Sequence, residues 1–203
     1  MAGATIHRTG RYREFMWVGT TLMTLGTGLY IHFGADTSVA VVIGLETIGA
    51  FGPSLLFQAP MVAIQNTVSQ VDTAAATASL GFVRNIAMAL SIVVGGVVFQ
   101  NSMDARQPSL AAAGLGEPVL KALSGSQAAA NVGIPQLIQD AFQRREVLKA
   151  FAWSLRNMFI LYTCLAAVAM VASVFIKHQR LNTEHTETKT GIQSLKRAAD
   201  TTG

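Results

Sequence analysis

Four stretches of this chain contain no Asp, Glu, Lys or Arg: residues 15–35, 47–71, 85–103 and 157–176. Each reaches the ~18 or more apolar residues that a bilayer-spanning helix needs. A soluble domain does not set aside such stretches, because its surface must be wetted. Charged residues supply about 25% of an ordinary soluble chain, but 13% of this one. Apolar residues make up 51%, and the mean hydropathy is +0.41. The pattern predicts an all-α membrane protein with four transmembrane helices.

Other global features narrow the reading. Cys164 is the single cysteine and lies inside an apolar window, which excludes an internal disulfide and a zinc cluster. The net charge of +4 does not imply nucleic acid: no basic groove or aromatic platform is visible, and basic residues commonly flank membrane spans. The first window resembles a signal peptide in its positive start. A cleavable apolar region runs about 7–15 residues, and this one is longer, which predicts a retained helix.

In chain order the reading is a cytoplasmic arm (1–14), three transmembrane helices (15–100), an extracellular loop (101–149), a fourth transmembrane helix (150–176) and a cytoplasmic tail (177–203). The turn at residues 34–38 forces the first two spans into an antiparallel hairpin. The third span is expected to end near Phe99. The loop holds Pro108, Pro118 and Pro135. Pro135 is expected to open an interfacial amphipathic helix with Leu137, Ile138, Ala141, Phe142 and Leu148 on its apolar face. In that helix Gln136, Asp140, Gln143, Arg144 and Glu146 face water. Residues 117–123 suggest a shorter helix of the same kind. Four spans place both termini on one side. Arg8, Arg11, Arg13, Lys177, Arg180, Lys189, Lys196 and Arg197 lie there, while the basic residues of the loop are nearly balanced by acidic ones. The positive-inside rule then puts both termini in the cytoplasm.

An ionisable residue within a membrane span is a functional candidate by default. Arg84 shares a helix face with Thr77, Gly81, Ala87, Ser91 and Gly95; it either points into protein or snorkels to the cytoplasmic surface. Glu46 sits about 10 Å into the second span, with Gly49, Ala50 and Pro53 on its face. It either lines a cavity, where it could serve as a proton carrier, or reaches outer water. Arg156 stands at the edge of the fourth span beside Trp153, as an anchor or a pathway residue. Pro53 and Pro60 predict kinks in the second span, and Gln58, Gln65 and Asn66 add polar groups to it. Glycines 19/26, 44/52 and 95/96 imply close helix packing or the wall of a transport pathway.

Several stretches together carry a family resemblance. His7-Arg-Thr-Gly-Arg-Tyr-Arg13 is similar to the cytoplasmic loop motif D-R-x-G-R-R of the major facilitator superfamily, with Arg8, Gly10, Arg11 and Arg13 at motif positions and His7 in the Asp position. Residues 24–29 and 49–65 resemble the two helices that follow that motif. Residues 72–101, including Arg84, resemble the penultimate helix. The combination most resembles the fungal-type drug:proton antiporters with fourteen spanning helices, which export drugs and toxic metabolites. The resemblance implies the C-terminal part of a major facilitator fold, with missing N-terminal spans, a small-molecule substrate and protons as partners besides the lipid bilayer. It implies no cofactor, no metal and no nucleic acid, and a place in the plasma membrane or, alternatively, the vacuolar membrane. Only six residues stand before His7, so the chain reads as a truncated or misassigned reading frame or an excised piece.

Two other classes compete. A membrane-embedded enzyme needs clustered acids, bases or nucleophiles at depth. His32 is alone in its span, and Ser54 and Ser91 have no base nearby in sequence, so no catalytic residue is assigned. A free-standing four-helix scaffold or assembly protein is the alternative to a transporter portion.

Overall fold

The computed structural model describes residues 12–69 and 71–175, with Tyr12, Arg13 and Asn66 described by their backbones alone. The arm residues Arg8, Gly10 and Arg11, the side chain of Arg13 and the tail beyond residue 175 lie outside the described residues. The described chain is all-α. Three of its stretches are long and apolar enough to cross a membrane: Val39–Gln65, Thr73–Ala112 and Ala141–Val174. The protein is an integral membrane helical bundle.

Helix α1 (Tyr12–Tyr30) opens with Glu14 in its first turn, where a carboxylate favours the positive end of the helix dipole. It is less apolar than the other three stretches because it carries four threonines. Their hydroxyls are partly satisfied along the helix itself: Thr20 donates to the Met16 carbonyl at 2.9 Å, Thr24 to Thr20 at 2.8 Å and Thr27 to Met23 at 2.9 Å. Such back-bonding removes the cost of bare hydroxyls in hydrocarbon.

Helices α2 (Val39–Gly49) and α3 (Phe51–Thr67) form one apolar path, separated at Ala50. Pro53 lacks the N–H that would bond to the carbonyl of Gly49, which places the interruption one turn before the proline. Ala50 keeps helical dihedrals, φ −68° and ψ −21°, and helical hydrogen bonds to Glu46 and from Ser54 flank it. Pro60 lies within α3 and does not divide it.

Helix α1 packs against α3 and against the last helix, α8 (Ala141–Val174), and glycines make the approach possible. Gly26 meets Gly49 backbone to backbone, and Gly52 lies against the backbone of Met23. The Trp17 indole N–H donates to the Ser173 carbonyl at 3.0 Å, tying the start of α1 to the end of the last helix.

Two expected boundaries are corrected. Helix α4 (Thr73–Ala112) does not end near Phe99 but continues through Pro108 for 40 residues, a length of about 60 Å. Helix α8 begins at Ala141 rather than at residue 150 and runs 34 residues to Val174. Both helices are longer than the ~30 Å hydrocarbon core, and the end of α4 packs beside the start of α8. Between them lie three short helices: α5 (Glu117–Ala122), α6 (Gly125–Ala130) and α7 (Ile134–Leu137). The paired ends and these helices bury Phe99, Met103, Leu110, Leu115, Leu123, Ala128, Val147, Ala150 and Phe151. The expected loop is therefore a packed lobe. Residues 99, 103 and 110 explain the continuation of α4, because their helical spacing keeps one apolar face directed at the lobe.

The amphipathic helix expected from Pro135 is not continuous. It stops after one turn at Leu137, Ile138 turns extended, and Asp140 starts α8 as its N-cap, accepting from the Phe142 and Gln143 amides at 2.7 and 3.1 Å. A capping carboxylate satisfies amides that no helical carbonyl can reach. The face is also rotated from the expected one: Phe142 is exposed and Val147 buried. Gln143, expected in water, turns inward and donates to the carbonyls of Ala113 and Gly114 at 3.3 and 3.0 Å. Gly114 has φ +83°, the left-handed conformation that commonly ends a helix.

Candidate transport-related site

The sequence candidates do not converge on one place. One is the seam where α3 and α4 run antiparallel. Gln65 donates from Nε2 to Thr77 Oγ1 at 3.3 Å. Two turns away, Arg84 donates from Nη2 to the Phe57 carbonyl at 3.1 Å, and its guanidinium lies 4.1 Å from the centroid of the Phe57 ring. A cation held against an aromatic face and a carbonyl is partly compensated for its removal from water. Arg84 is half-buried and directed at α3. Its other expected neighbours differ: Gly81 faces open space, while Gly95 lies under the Tyr162 hydroxyl. That hydroxyl donates to the Ser91 carbonyl at 3.1 Å, joining α4 to α8.

Gln58, Pro53 and Glu46 are exposed. Gly49, expected beside Glu46, is buried under Tyr30. The structure thus brings Arg84 and Gln65 to one seam and leaves Gln58, Pro53 and Glu46 on outward surfaces. Much of α4 behaves likewise: Ile86, Leu90, Val93 and Val97 are exposed. Only 11% of each spanning window is buried within the chain, which leaves most of this apolar surface to lipid or to further spans.

Arg156 lies elsewhere, on a cavity of about 310 Å³ between the α1–α2 turn, α4 and α8. Arg106, Lys149 and Trp153 share that cavity, and the Arg106 guanidinium stands 4.3 Å from the Trp153 ring centroid. Sequence reasoning counted Arg106 and Lys149 only as loop charges. The signal that places Arg106 is the helical register 99, 103, 106, 110, which keeps it beside the lobe core on α4. A further polar tie in this region, Asn157 Nδ2 to Ser102 Oγ at 3.0 Å, had no sequence signal beyond two polar residues in apolar surroundings. Among the described residues no group of three or more His, Cys, Asp or Glu is placed to hold a metal.

No family model matches the chain. No solved structure matches it either. Among curated proteins, it is 38% identical over 190 residues to the MFS-type transporter ppz2 of Metarhizium majus, covering 94% of this chain and 32% of that protein. It is 35% identical over 196 residues to the efflux pump dotC of Dothistroma septosporum, covering 97% and 33%. To the MFS transporter L2 of a Phoma species it is 31% identical over 201 residues, covering 98% and 32%. The chain spans about one third of the length of these relatives. Their names describe transporters and a pump, a non-enzymatic class.

Proposed function

We propose, from its similarity to fungal MFS-type transporters and an efflux pump over 94–98% of its length, that this chain belongs to their family and forms the C-terminal portion of a proton-coupled exporter of drugs or toxic secondary metabolites. The observation that carries the reading is the near-complete alignment of this chain against only a third of each relative. The exposed span surfaces support it, because in a larger bundle they would meet other helices. In this reading α1 is a fourth span, and its glycine contacts hold it against α3 and α2. The seam of Arg84 and Gln65 lies near the pathway, while Glu46, Gln58 and Pro53 face the missing spans. Arg156 sits at the membrane boundary.

Alternating access in such transporters needs two helical bundles moving about a midplane site. This portion supplies part of one, so the chain alone transports nothing. The test is proton-gradient-driven drug uptake into inverted vesicles. Vesicles holding only this chain should show no saturable uptake. Vesicles that also hold the remaining spans of a relative such as the Dothistroma pump should show it, and Arg84→Ala should lower it more than Arg156→Ala. Saturable uptake by the chain alone would overturn the portion reading and favour a homo-oligomeric pore. Normal transport by Arg84→Ala at matched expression would return Arg84 to a surface role.

The membrane is the plasma membrane in this reading, with both termini cytoplasmic, supported by the eight basic residues of the arm and tail. Cys164 is exposed, so orientation is best read in a Cys164→Ser background. A cysteine placed at Ser124 should react with an impermeant thiol reagent in intact cells, and one at Ser194 should not. The reverse pattern would invert the topology.

A further inference from the structure

The cavity beside Arg156 has a composition that the transport reading does not use. Its charged lining is Arg106, Lys149, Arg156 and Glu146. Lys149 Nζ is 2.6 Å from Glu146 Oε1, so that carboxylate already has a cation. The other nearby ion pair, Arg145 with Asp36 at 3.1 Å, involves no residue of the lining. Among the described residues, Arg106 and Arg156 therefore have no acidic partner. Arg106 is the more demanding of the two: its Nε is buried and has no hydrogen-bond partner, and one face of its guanidinium is covered by Trp153. A buried donor without an acceptor costs free energy.

The position of the cavity indicates what carries that oxyanion. Ala35, on its rim, ends the first uncharged window, and Arg156 immediately precedes the last. The cavity thus lies where hydrocarbon gives way to headgroups, with an interfacial tryptophan in its wall. The rest of the lining is largely apolar, including Phe33, Leu110, Ala150 and Ala152. Its volume is at the low end of small-ligand sites, which suits a headgroup with acyl chains continuing along the outside of the spans. Two guanidinium groups match phosphate oxygens in geometry as well as charge.

We propose that this cavity binds the phosphate of an anionic membrane phospholipid, held by Arg106 and Arg156 and bordered by Lys149 and Trp153. Bound there, the lipid connects the α1–α2 turn to α4 and α8. The site is independent of what the transporter exports.

Phosphatidic acid is the probe, phosphatidylcholine the comparator of no net charge, and inorganic phosphate the water-soluble arm. The full chain, purified in detergent, is mixed with each lipid, and retained lipid is counted by native mass spectrometry. One phosphatidic acid should be retained about tenfold more strongly than phosphatidylcholine, a preference of about 1.4 kcal/mol. Arg106→Gln with Arg156→Gln should abolish the preference. Arg106→Lys with Arg156→Lys should keep part of it, and Arg144→Gln, outside the lining, should keep all of it. A variant that does not run as a single species is replaced by a measurement on the unmodified protein: raising salt from about 0.05 to about 0.5 M should weaken retention, since screening acts on the charge contact. Equal retention of the two lipids, an unchanged preference in the Gln pair, or salt-independent retention would overturn the proposal. Displacement of phosphatidic acid by about 10 mM inorganic phosphate would also overturn it, and would reassign the cavity to a free anion.

Discussion

Replacing Gly52 by valine is expected to separate α1 from α3. A Cβ at residue 52 would stand 2.5 Å from the Met23 amide nitrogen, 2.8 Å from its Cα and 3.0 Å from the Gly19 carbonyl oxygen. All three are backbone atoms, which cannot swing aside as the tip of a side chain does. The two helices must therefore move apart along their whole contact, and the packing between Gly19 and Leu55/Leu56 is lost with it. Overpacking costs about 1–3 kcal/mol in general and more when backbone is the obstacle. Gly44→Val is the matched control, since a Cβ there meets nothing within 4 Å. Heating both variants in detergent and following the monodisperse fraction should show early loss for Gly52→Val alone. Equal midpoints would mean that α1 and α3 do not depend on this contact.

The second large effect belongs to the lobe. Leu123 is 0% exposed and packs in the cluster with Met103, Leu110 and Val147. Its backbone carbonyl also accepts from Gln107 Nε2 at 3.0 Å. Leu123→Ala removes the side chain but not that bond, leaving a cavity that the four surrounding helix segments cannot easily close. Such truncations cost about 2–5 kcal/mol. Leu137→Ala, at a residue 79% exposed, should cost far less. Hydrogen exchange separates the two: amides of α5 and α6 should exchange much faster in Leu123→Ala, while those of α1 and α3 keep their protection. Similar exchange in both variants would contradict a packed lobe core.

The spans were legible in the sequence because hydrocarbon constrains length and charge together, and few other environments demand both. The helix ends were not. Asp104 closes an uncharged window, which is where the span is expected to end, whereas α4 stops later, at Ala112. Whether a helix continues past the bilayer depends on packing partners, and those of α4 lie far along the chain at Leu123, Val147 and Phe151. Likewise Asp140 looked like one polar face residue among several, until its side chain is seen to accept two amides.

The candidate residues divide on the same physical line. Arg84 is visible as a charge set in an apolar run, because its cost there is local. Its contact with Phe57 is not visible, since it needs the antiparallel meeting of α3 and α4. Arg106 lies some 40 to 50 residues before Lys149 and Arg156 along the chain, and only the pairing of α4 with α8 brings it to their cavity.

The continuity of α4 gives the lobe mechanical leverage. A 40-residue helix is a rod of about 60 Å, and its membrane part and lobe part share an unbroken axis. Tilting such a rod by about 10° about its middle carries each end through about 5 Å. The lobe is anchored to α8 as well, so differences in tilt between the two rods appear in it as shear, one of the ways packed helices move. A pair of spectroscopic labels on the lobe at the exposed positions Ser109 and Arg144 would thus read the attitude of spans buried in lipid from a place that water can reach.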